Sequence, residues 1–158
     1  MKALFAAALV LCAGPALALS CMRPTVAGSF VRADAAEQIY VVVHGRLQFD
    51  EALIPEPDFS RQDPPDTLIP ARLTGTVLSR AGFETAFDRD VTLKLQCFGP
   101  WCGGASAGTD YLVFVEKTGT EYVVPADPCG SMIFADPTPA QLDQALACLR
   151  GEACEPAF

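Results

Sequence analysis

The sequence predicts a mainly β protein: a small closed barrel of about five strands, followed by a C-terminal α-helix and stabilised by disulfides. Apolar and polar residues alternate in several segments, which is the period of half-buried strands, and a helical period appears only beyond Cys129. Six cysteines lie outside an apolar leader, an even number that is typical of a disulfide framework in an exported chain. Strands followed by one helix are the element content of a small barrel with a packed terminal helix.

Residues 1–18 are predicted to be a signal peptide. Lys2 supplies a positive charge, and the apolar run over residues 3–13 is too short to span a bilayer as a stable anchor. Residues 16–18 read Ala-Leu-Ala, which puts small residues at both positions that signal peptidase inspects. Leu19 is therefore the expected first mature residue.

Two other processing events stay open. Cleavage after Ser20 also satisfies the small-residue rule, and residues 18–21 form a weak lipoprotein signal because Ala18 stands where a leucine is usual. In that case the chain would be anchored by a lipid on Cys21. We expect residues 19–158 to form one periplasmic or secreted domain, with a lipoprotein as the alternative and with no integral membrane segment once the signal is removed.

The chain is acidic. Eleven Lys and Arg residues face 19 Asp and Glu residues, a net charge of −8, and loss of Lys2 with the leader makes it −9. An acidic exported domain is a poor candidate for binding nucleic acid or an anionic membrane surface. The charge is expected to serve solubility.

The six remaining cysteines allow fifteen pairings, which sequence alone does not resolve. Spacing favours two local bridges: Cys97 and Cys102 flank only Phe-Gly-Pro-Trp, while Cys148 and Cys154 lie at the end of the last predicted helix. A redox or zinc role for the first pair is not expected, because the spacing is not Cys-x-x-Cys and the chain has one histidine.

The two local bridges leave Cys21 to pair with Cys129. In the chain-entropy model a loop of about 109 residues contributes roughly 4–5 kcal/mol, against roughly 2 kcal/mol for the Cys97 loop. The long bridge is therefore expected to matter most for stability.

The longest strand signal covers residues 39–49. The odd positions are apolar, among them Val41, Val43 and Leu47, and most of the even positions from His44 onward are polar. Gly45 interrupts the apolar row. A glycine inside a strand often marks a bulge or a bend, so this strand is expected to curve.

Residues 51–70 are expected to form a long irregular loop. The segment contains five prolines among acidic and small residues: Pro55, Pro57, Pro64, Pro65 and Pro70. Loops of this length are usually functional or mobile, so the segment is a candidate for partner contact, with a tolerated surface insertion as the alternative.

Further alternation over residues 71–77 and 83–97 predicts a hairpin with a turn at 79–82 and a bulge or turn at 88–90. Residues 103–108 form a glycine-rich turn that lacks the ending of a phosphate-binding loop. Residues 111–115 are apolar on both faces, which predicts a central strand, and a turn at 117–120 leads to a last strand. The predicted barrel core comprises Val41, Val43, Val77, Leu93, Leu95 and Val113.

A C-terminal helix is predicted over about residues 138–150. Thr138, a proline and Gln141 form an N-cap, a favoured first position and a capping box, and leucines then recur at helical spacing. Gly151 is the expected C-cap.

Four short segments together resemble the netrin-like module, whose best-known members are the tissue inhibitors of metalloproteinases. They are Ser20-Cys21-x-x-Pro24, Phe30-x-x-Ala33-Asp34 leading into Val41-Val42-Val43-x-Gly45, Cys102 followed by residues 110–114, and Cys129 after residues 122–124. The resemblance covers roughly residues 19–135. It implies an OB-fold barrel across which a disulfide ties the N-terminal segment.

The same resemblance suggests a binding surface. The inhibitors begin with Cys-x-Cys and chelate the protease zinc through the amino group and carbonyl of the first residue, whereas Leu19 stands at that position here. In the inhibitors the N-terminal ridge and the loop after the first strand touch the protease. The predicted binding residues are Leu19, Ser20, Cys21, Met22, Arg23, Pro24, Phe59, Leu68 and Ile69.

We therefore expect an exported protein-interaction module whose partner is another exported protein or a protease, with zinc-metalloprotease inhibition and a lipid-anchored envelope protein as alternatives. No enzyme activity, cofactor or metal is expected. His44 is a lone histidine, Ser106 lacks a nucleophile-elbow pattern, and the chain contains no HExxH motif.

Overall fold

The computed structural model describes residues 19–156, so the predicted signal peptide lies outside the described residues. The fold is mainly β. Its elements in chain order are α1 (Val26–Ala35), β1 (Ile39–Phe49), a short 3₁₀ helix (Glu51–Leu53), β2 (Thr67–Ser79), β3 (Gly82–Leu95), β4 (Cys97–Phe98), β5 (Trp101–Cys102), β6 (Asp110–Thr118), β7 (Glu121–Ala126), β8 (Ile133–Ala135) and α2 (Pro139–Arg150).

Five long strands pair in a closed ring. The order is β1-β2-β3-β7-β6, and β6 pairs again with β1. All these pairings are antiparallel except that of β3 with β7, which is parallel. β8 pairs with residues 111–113 of β6, on the edge that β7 occupies at residues 116–118, and β4 and β5 form a separate two-stranded hairpin. The mainly β prediction and its C-terminal helix are confirmed.

The inner face of the ring contains the first of two apolar clusters. Val43, Leu93, Leu95 and Val113 are buried there as predicted, while Val41 and Val77 are partly buried and pack against the same cluster. Because side chains alternate along a strand, the residues between them point out of the ring.

The second cluster covers the outer face of β6. Leu112 and Phe114 are fully buried beneath the two helices, with Val26 from α1 and Ala145 from α2. The apolar sequence of β6 on both faces has this cause, since one face fills the ring and the other packs against helices. The prediction of a central strand at residues 111–115 is confirmed.

Helix α2 begins and ends as its sequence predicts. The hydroxyl of Thr138 accepts from the N–H of Gln141 at 3.3 Å, and the side chain of Gln141 accepts from the N–H of Thr138 at 2.9 Å, which completes the capping box. Gly151 ends the helix in the left-handed conformation. The guanidinium of Arg150 donates two hydrogen bonds to the carbonyl of Arg80 and so ties the helix to the β2–β3 turn.

Helix α1 (Val26–Ala35) was not predicted from the sequence. The hydroxyl of Thr25 caps it by accepting from the N–H of Gly28 at 3.1 Å. Val26, Phe30 and Ala33 recur at helical spacing and pack into the outer cluster. This spacing after a capping threonine indicates a helix. The signal is short, because the helix has less than three turns.

The proline-rich loop is shorter than predicted. Residues 67–70 belong to β2 and pair with residues 92–95 of β3, so the irregular segment ends at Asp66. Strand β1 pairs only with β2 residues from Ala71 onward, which leaves Pro70 in a part of β2 with one neighbour strand. Proline is tolerated there because the missing N–H is not needed by a second strand.

No bulge or turn interrupts the strand pairing at Gly45 or at residues 88–90. The pairing of β1 continues through Gly45, and β3 pairs with β2 without interruption at residues 88–90. The register instead shifts between Val77 and Leu78, which leaves Glu84 without a partner. This bulge turns Phe83 to the outer cluster, whereas its sequence position predicted the same face as Phe87.

The three disulfides join Cys97 with Cys102 and Cys148 with Cys154, the two local pairs that spacing favours, and Cys21 with Cys129, the pair that remains. The Cys21–Cys129 bridge crosses 108 positions and attaches the segment before α1 to the turn after β7. No helix in residues 19–156 is long and apolar enough to span a membrane.

Candidate interaction site

A pocket of about 380 Å³ lies where three distant parts of the chain meet. These are Leu19, the proline-rich loop after the 3₁₀ helix, and the β4–β5 hairpin that carries Trp101. Its lining includes six prolines and two aromatic side chains, those of Phe59 and Trp101. The full lining is Leu19, Ile54, Pro55, Glu56, Pro57, Asp58, Phe59, Arg61, Pro64, Pro65, Thr67, Leu95, Pro100, Trp101, Cys102, Gly103 and Pro128.

The proline-rich loop is attached to the rest of the protein at both ends. At its start, the carboxylate of Glu51 accepts from the N–H of Ala107 at 2.7 Å. At its end, Asp66 accepts from the N–H of Cys97 at 3.1 Å and pairs with the ammonium group of Lys94 at 3.2 Å. These contacts fix where the loop leaves and rejoins the ring.

The middle of the loop has its own hydrogen bonds. Asp58 accepts from both the N–H and the hydroxyl of Ser60, at 3.0 and 2.6 Å, and the side chain of Gln62 donates to the carbonyl of Phe59 at 3.1 Å. Such local bonds hold a turn without regular secondary structure. Phe59 is left 63% exposed at the pocket.

The opposite wall is the disulfide-closed hairpin. Cys97 and Cys102 face each other across β4 and β5, and Phe98 faces Trp101. The N–H of Gly103 donates to the carbonyl of Gln96 at 2.8 Å, and the N–H of Gln96 donates to the carbonyl of Ala126 at 2.9 Å. A Cβ atom at Gly103 would collide with the backbone of Ala126, so only glycine allows the hairpin to lie this close to the ring.

Charged groups at the pocket are mostly acidic. Glu56 and Asp58 line it together with one cation, Arg61. The hydrogen bonds from Ser60 lower the pKa of Asp58 below its ordinary value, with a smaller contribution from the charge of Arg61. Asp58 is therefore ionised at neutral pH.

A buried polar network supports the long disulfide. The carboxylate of Asp127 accepts from the N–H of Cys129 at 2.7 Å and from both the N–H and the hydroxyl of Ser131. Arg32 donates to the hydroxyl of Ser131 at 2.7 Å, and Ser29 donates to its carbonyl. The turn that carries Cys129 is thus attached to α1, and the disulfide attaches Cys21 to the same turn.

The predicted binding residues divide into separate groups. Leu19 and Phe59 line the pocket between the loop and the hairpin. Residues 20–24 line a second pocket, also of about 380 Å³, beside α1 and Cys129. Leu68 is 63% exposed but lines neither pocket.

Ile69 was wrongly predicted to be an exposed anchor. It is fully buried in the inner cluster, because β2 begins at Thr67 and the side chain of Ile69 points into the ring. The expectation failed because Pro70 was read as the end of an irregular segment rather than as part of a strand.

Sequence reasoning missed Trp101, Pro100 and Pro128 as parts of the site. Trp101 is the only tryptophan of the chain and lies between two cysteines five positions apart, a segment that a local disulfide displays as a tight hairpin. Pro128 precedes a cysteine of the long bridge, so it reaches the pocket only through tertiary structure.

Within residues 19–156, no group of three or more His, Cys, Asp or Glu side chains is arranged to hold a metal ion. His44 is half-buried, with its ring edge-on to that of Phe83 at a centroid distance of 5.8 Å. That is a packing contact, and the pocket lies elsewhere.

Comparison with known proteins gives no relative for this chain: no family model, curated protein or solved structure matches it.

Proposed function

We propose that this chain is an exported, disulfide-stabilised protein-interaction module with an OB-fold barrel of the netrin-like type. Three disulfides suit an oxidising compartment outside the cytoplasm. The apolar leader of residues 1–18 would direct the export.

The strand order supports the OB-fold part of the proposal. The ring returns to β1 after five strands, with β3 beside β7 and β6 beside β1, which is a Greek-key arrangement of the kind found in small five-stranded barrels. Its interior is filled with side chains, as expected for a barrel of this size.

The netrin-like part rests on the N-terminal segment. Cys21 is joined to Cys129 across the ring, as in the family that the sequence resembles, and helix α2 packs outside the strands. The Cys97–Cys102 hairpin departs from the inhibitor pattern, in which a cysteine near position 102 bonds to the first residue.

The observation that carries an interaction role is the meeting of Leu19, Phe59 and Trp101 at one pocket. Phe59 is exposed and Trp101 is half-buried at this concave surface, and aromatic side chains so placed are the kind of group that anchors protein interfaces. The prolines of the loop reduce its freedom in the unbound state, which lowers the entropy lost on association.

The experiment compares capture of exported proteins by the purified mature protein and by two variants. Phe59→Ser removes an aromatic side chain at the pocket, and Leu68→Ser removes an apolar side chain of equal exposure that lies outside it. We expect a partner that the wild type and Leu68→Ser both retain and Phe59→Ser loses. If Phe59→Ser still captures the partner, the interaction site lies on another surface.

Inhibition of a zinc metalloprotease is the second candidate. If cleavage follows Ala18, the amino group and carbonyl of Leu19 become terminal beside the pocket, which are the atoms that the related inhibitors offer to zinc. Acetylation of the mature N-terminus should abolish such inhibition while leaving binding through Phe59 intact. Inhibition that survives acetylation would contradict this mechanism.

The disulfide argues against a lipid anchor. The sulfur of Cys21 is bonded to Cys129 and is therefore not free for a thioether to lipid. We expect the intact mass of the exported protein to equal that of residues 19–158 with three disulfides. A diacylated mass would support the anchored alternative instead.

A further inference from the structure

We propose that the pocket between the proline-rich loop and the Cys97–Cys102 hairpin binds a partner polypeptide through one apolar side chain with a Lys or Arg next to it. This inference rests on the proposed function and names the chemistry of the partner. It depends on the lining of the pocket, the fixation of its walls and the charge around it.

The lining of the pocket favours an apolar side chain of the partner. Leu95 is almost fully buried at the base, and Phe59 and Trp101 stand at the sides among prolines. A volume of about 380 Å³ is close to the lower end for small-molecule sites and holds a side chain with its neighbouring backbone. An apolar side chain that enters the pocket buries its own apolar surface and that of the lining residues.

The walls are fixed before binding. One is closed by the Cys97–Cys102 disulfide and lies against Ala126 through Gly103, and the other is attached through Glu51 and Asp66. A pocket with fixed walls loses little conformational entropy when a ligand enters. It therefore suits a short exposed segment of a partner.

The loop beside the pocket carries more acidic than basic residues, and this excess favours a Lys or Arg on the partner. Residues 50–66 contain six acidic residues and Arg61 as the only basic one. Asp50, Glu51 and Asp66 are engaged with backbone N–H groups or Lys94. Glu56 and Asp63 have neither an ion pair nor a side-chain hydrogen bond within the described part of the chain.

These free carboxylates favour a positively charged side chain on the partner. Glu56 lines the pocket, and Asp63 lies between the lining residues Arg61 and Pro64 in sequence. A cation that follows an apolar side chain into the pocket meets Glu56 and ionised Asp58, with Asp63 in the same loop. An acidic partner would meet Arg61 alone against three negative charges.

The test is selection of random decapeptides displayed on phage against the protein purified after export, with counter-selection on Phe59→Ser. We expect the enriched peptides to share an apolar residue with Lys or Arg within two positions. Their binding is then measured by the fluorescence of Trp101, which reports this pocket directly because it is the only tryptophan.

Two charge variants test whether the acidic residues near the pocket contribute to peptide affinity. Glu56→Gln combined with Asp63→Asn should weaken an enriched peptide roughly 2- to 30-fold, the range for two exposed ion pairs. Glu84→Gln combined with Glu121→Gln removes the same charge from β3 and β7 positions outside the pocket and should change affinity less than about twofold. Circular dichroism checks that each variant folds.

The outcomes separate the inference from the proposed function. Peptides that depend on Phe59 but carry no basic residue, or that bind equally to both charge variants, overturn the inference and leave the interaction site in place. Absence of any peptide that depends on Phe59 overturns the inference, and the capture experiment with Phe59→Ser then decides the proposed function separately.

Discussion

Gly45 and Gly75 lie directly opposite each other in β1 and β2, so close that neither position has room for a Cβ atom. A Cβ on Gly45 would lie 2.5 Å from the carbonyl oxygen of Thr74, and one on Gly75 would collide with the backbone of His44. Real Cβ contacts are essentially never below 3.0 Å. The glycine in the middle of the longest strand thus allows close approach of two backbones and marks no bulge.

The first prediction is that Gly75→Ala destabilises the fold. The added methyl group forces β1 and β2 apart, and overpacking of this kind typically costs about 1–3 kcal/mol of unfolding free energy. Urea denaturation measures the loss. Gly104→Ala is the matched control, because a Cβ there meets nothing within 4 Å. Equal stability of both variants would show that the strands separate without cost.

The second prediction concerns Asp127, whose buried carboxylate accepts hydrogen bonds from Cys129 and Ser131. Asp127→Ala leaves these donors unsatisfied, and we expect a loss of about 1.5–3 kcal/mol in unfolding free energy. Asp143→Ala, at an exposed position of α2, should change stability by less than about 0.5 kcal/mol. A small effect at Asp127 would mean that the turn is held by the disulfide alone.

The third prediction is a pH dependence on the exposed face of β2 and β3. Arg72 pairs with Asp88 and Asp90, each at 2.8 Å, and hydrogen bonds from Arg72 and then Thr74 lower the pKa of Asp88 below its ordinary 3.8. A lowered folded-state pKa contributes stability that is present above the unfolded-state value and is lost as pH falls through the folded-state value.

Wild type should therefore exceed Arg72→Met in stability at about pH 6, and the difference should shrink towards about pH 2.5. Because both side chains are largely exposed, the difference is small and should also decrease with added salt. Urea denaturation at the two pH values and two salt concentrations measures it. A difference that is independent of pH would assign the effect of Arg72 to packing.

Periodicity predicted the ring but not the parts that surround it. The alternation of β1 and the caps of α2 gave both elements their observed bounds, because each depends on neighbours in sequence. Helix α1 and the short strand β8 were missed, since α1 packs mainly against helix α2 and β8 is held by pairing with β6. The bulge at Glu84 escaped for the same reason: it depends on how two strands meet.

The candidate site was predicted in part. Leu19 and Phe59 were named from the N-terminal ridge and the loop, and they do line one pocket. Trp101 and Pro128 belong to segments that reach the pocket through the Cys97–Cys102 hairpin and the turn after β7. Such long-range placement leaves no periodic trace in the sequence.

The last prediction separates the roles of two disulfides. Cys21→Ser with Cys129→Ser opens the long loop and should lower the unfolding free energy by roughly 4–5 kcal/mol in the chain-entropy model, against roughly 2 kcal/mol for Cys97→Ser with Cys102→Ser. Peptide mapping without reduction first verifies that the wild type has these pairs and no free thiol. A Cys21–Cys97 or Cys21–Cys102 peptide would contradict the pairing.

For peptide affinity we expect the opposite order: where both double variants stay folded, loss of the short bridge should weaken binding more than loss of the long bridge. Loss of the short bridge frees the hairpin that carries Trp101 and so removes one wall of the pocket. The long bridge itself lies beside the second pocket, and only its neighbours Leu19 and Pro128 reach the first. We expect the Cys97 and Cys102 double variant to lose at least about tenfold in affinity for a peptide selected on the wild type, as when an interface anchor is displaced. The other double variant, measured below its unfolding transition, should retain most of its affinity; if it loses as much, the N-terminal segment holds the pocket open and the hairpin does not.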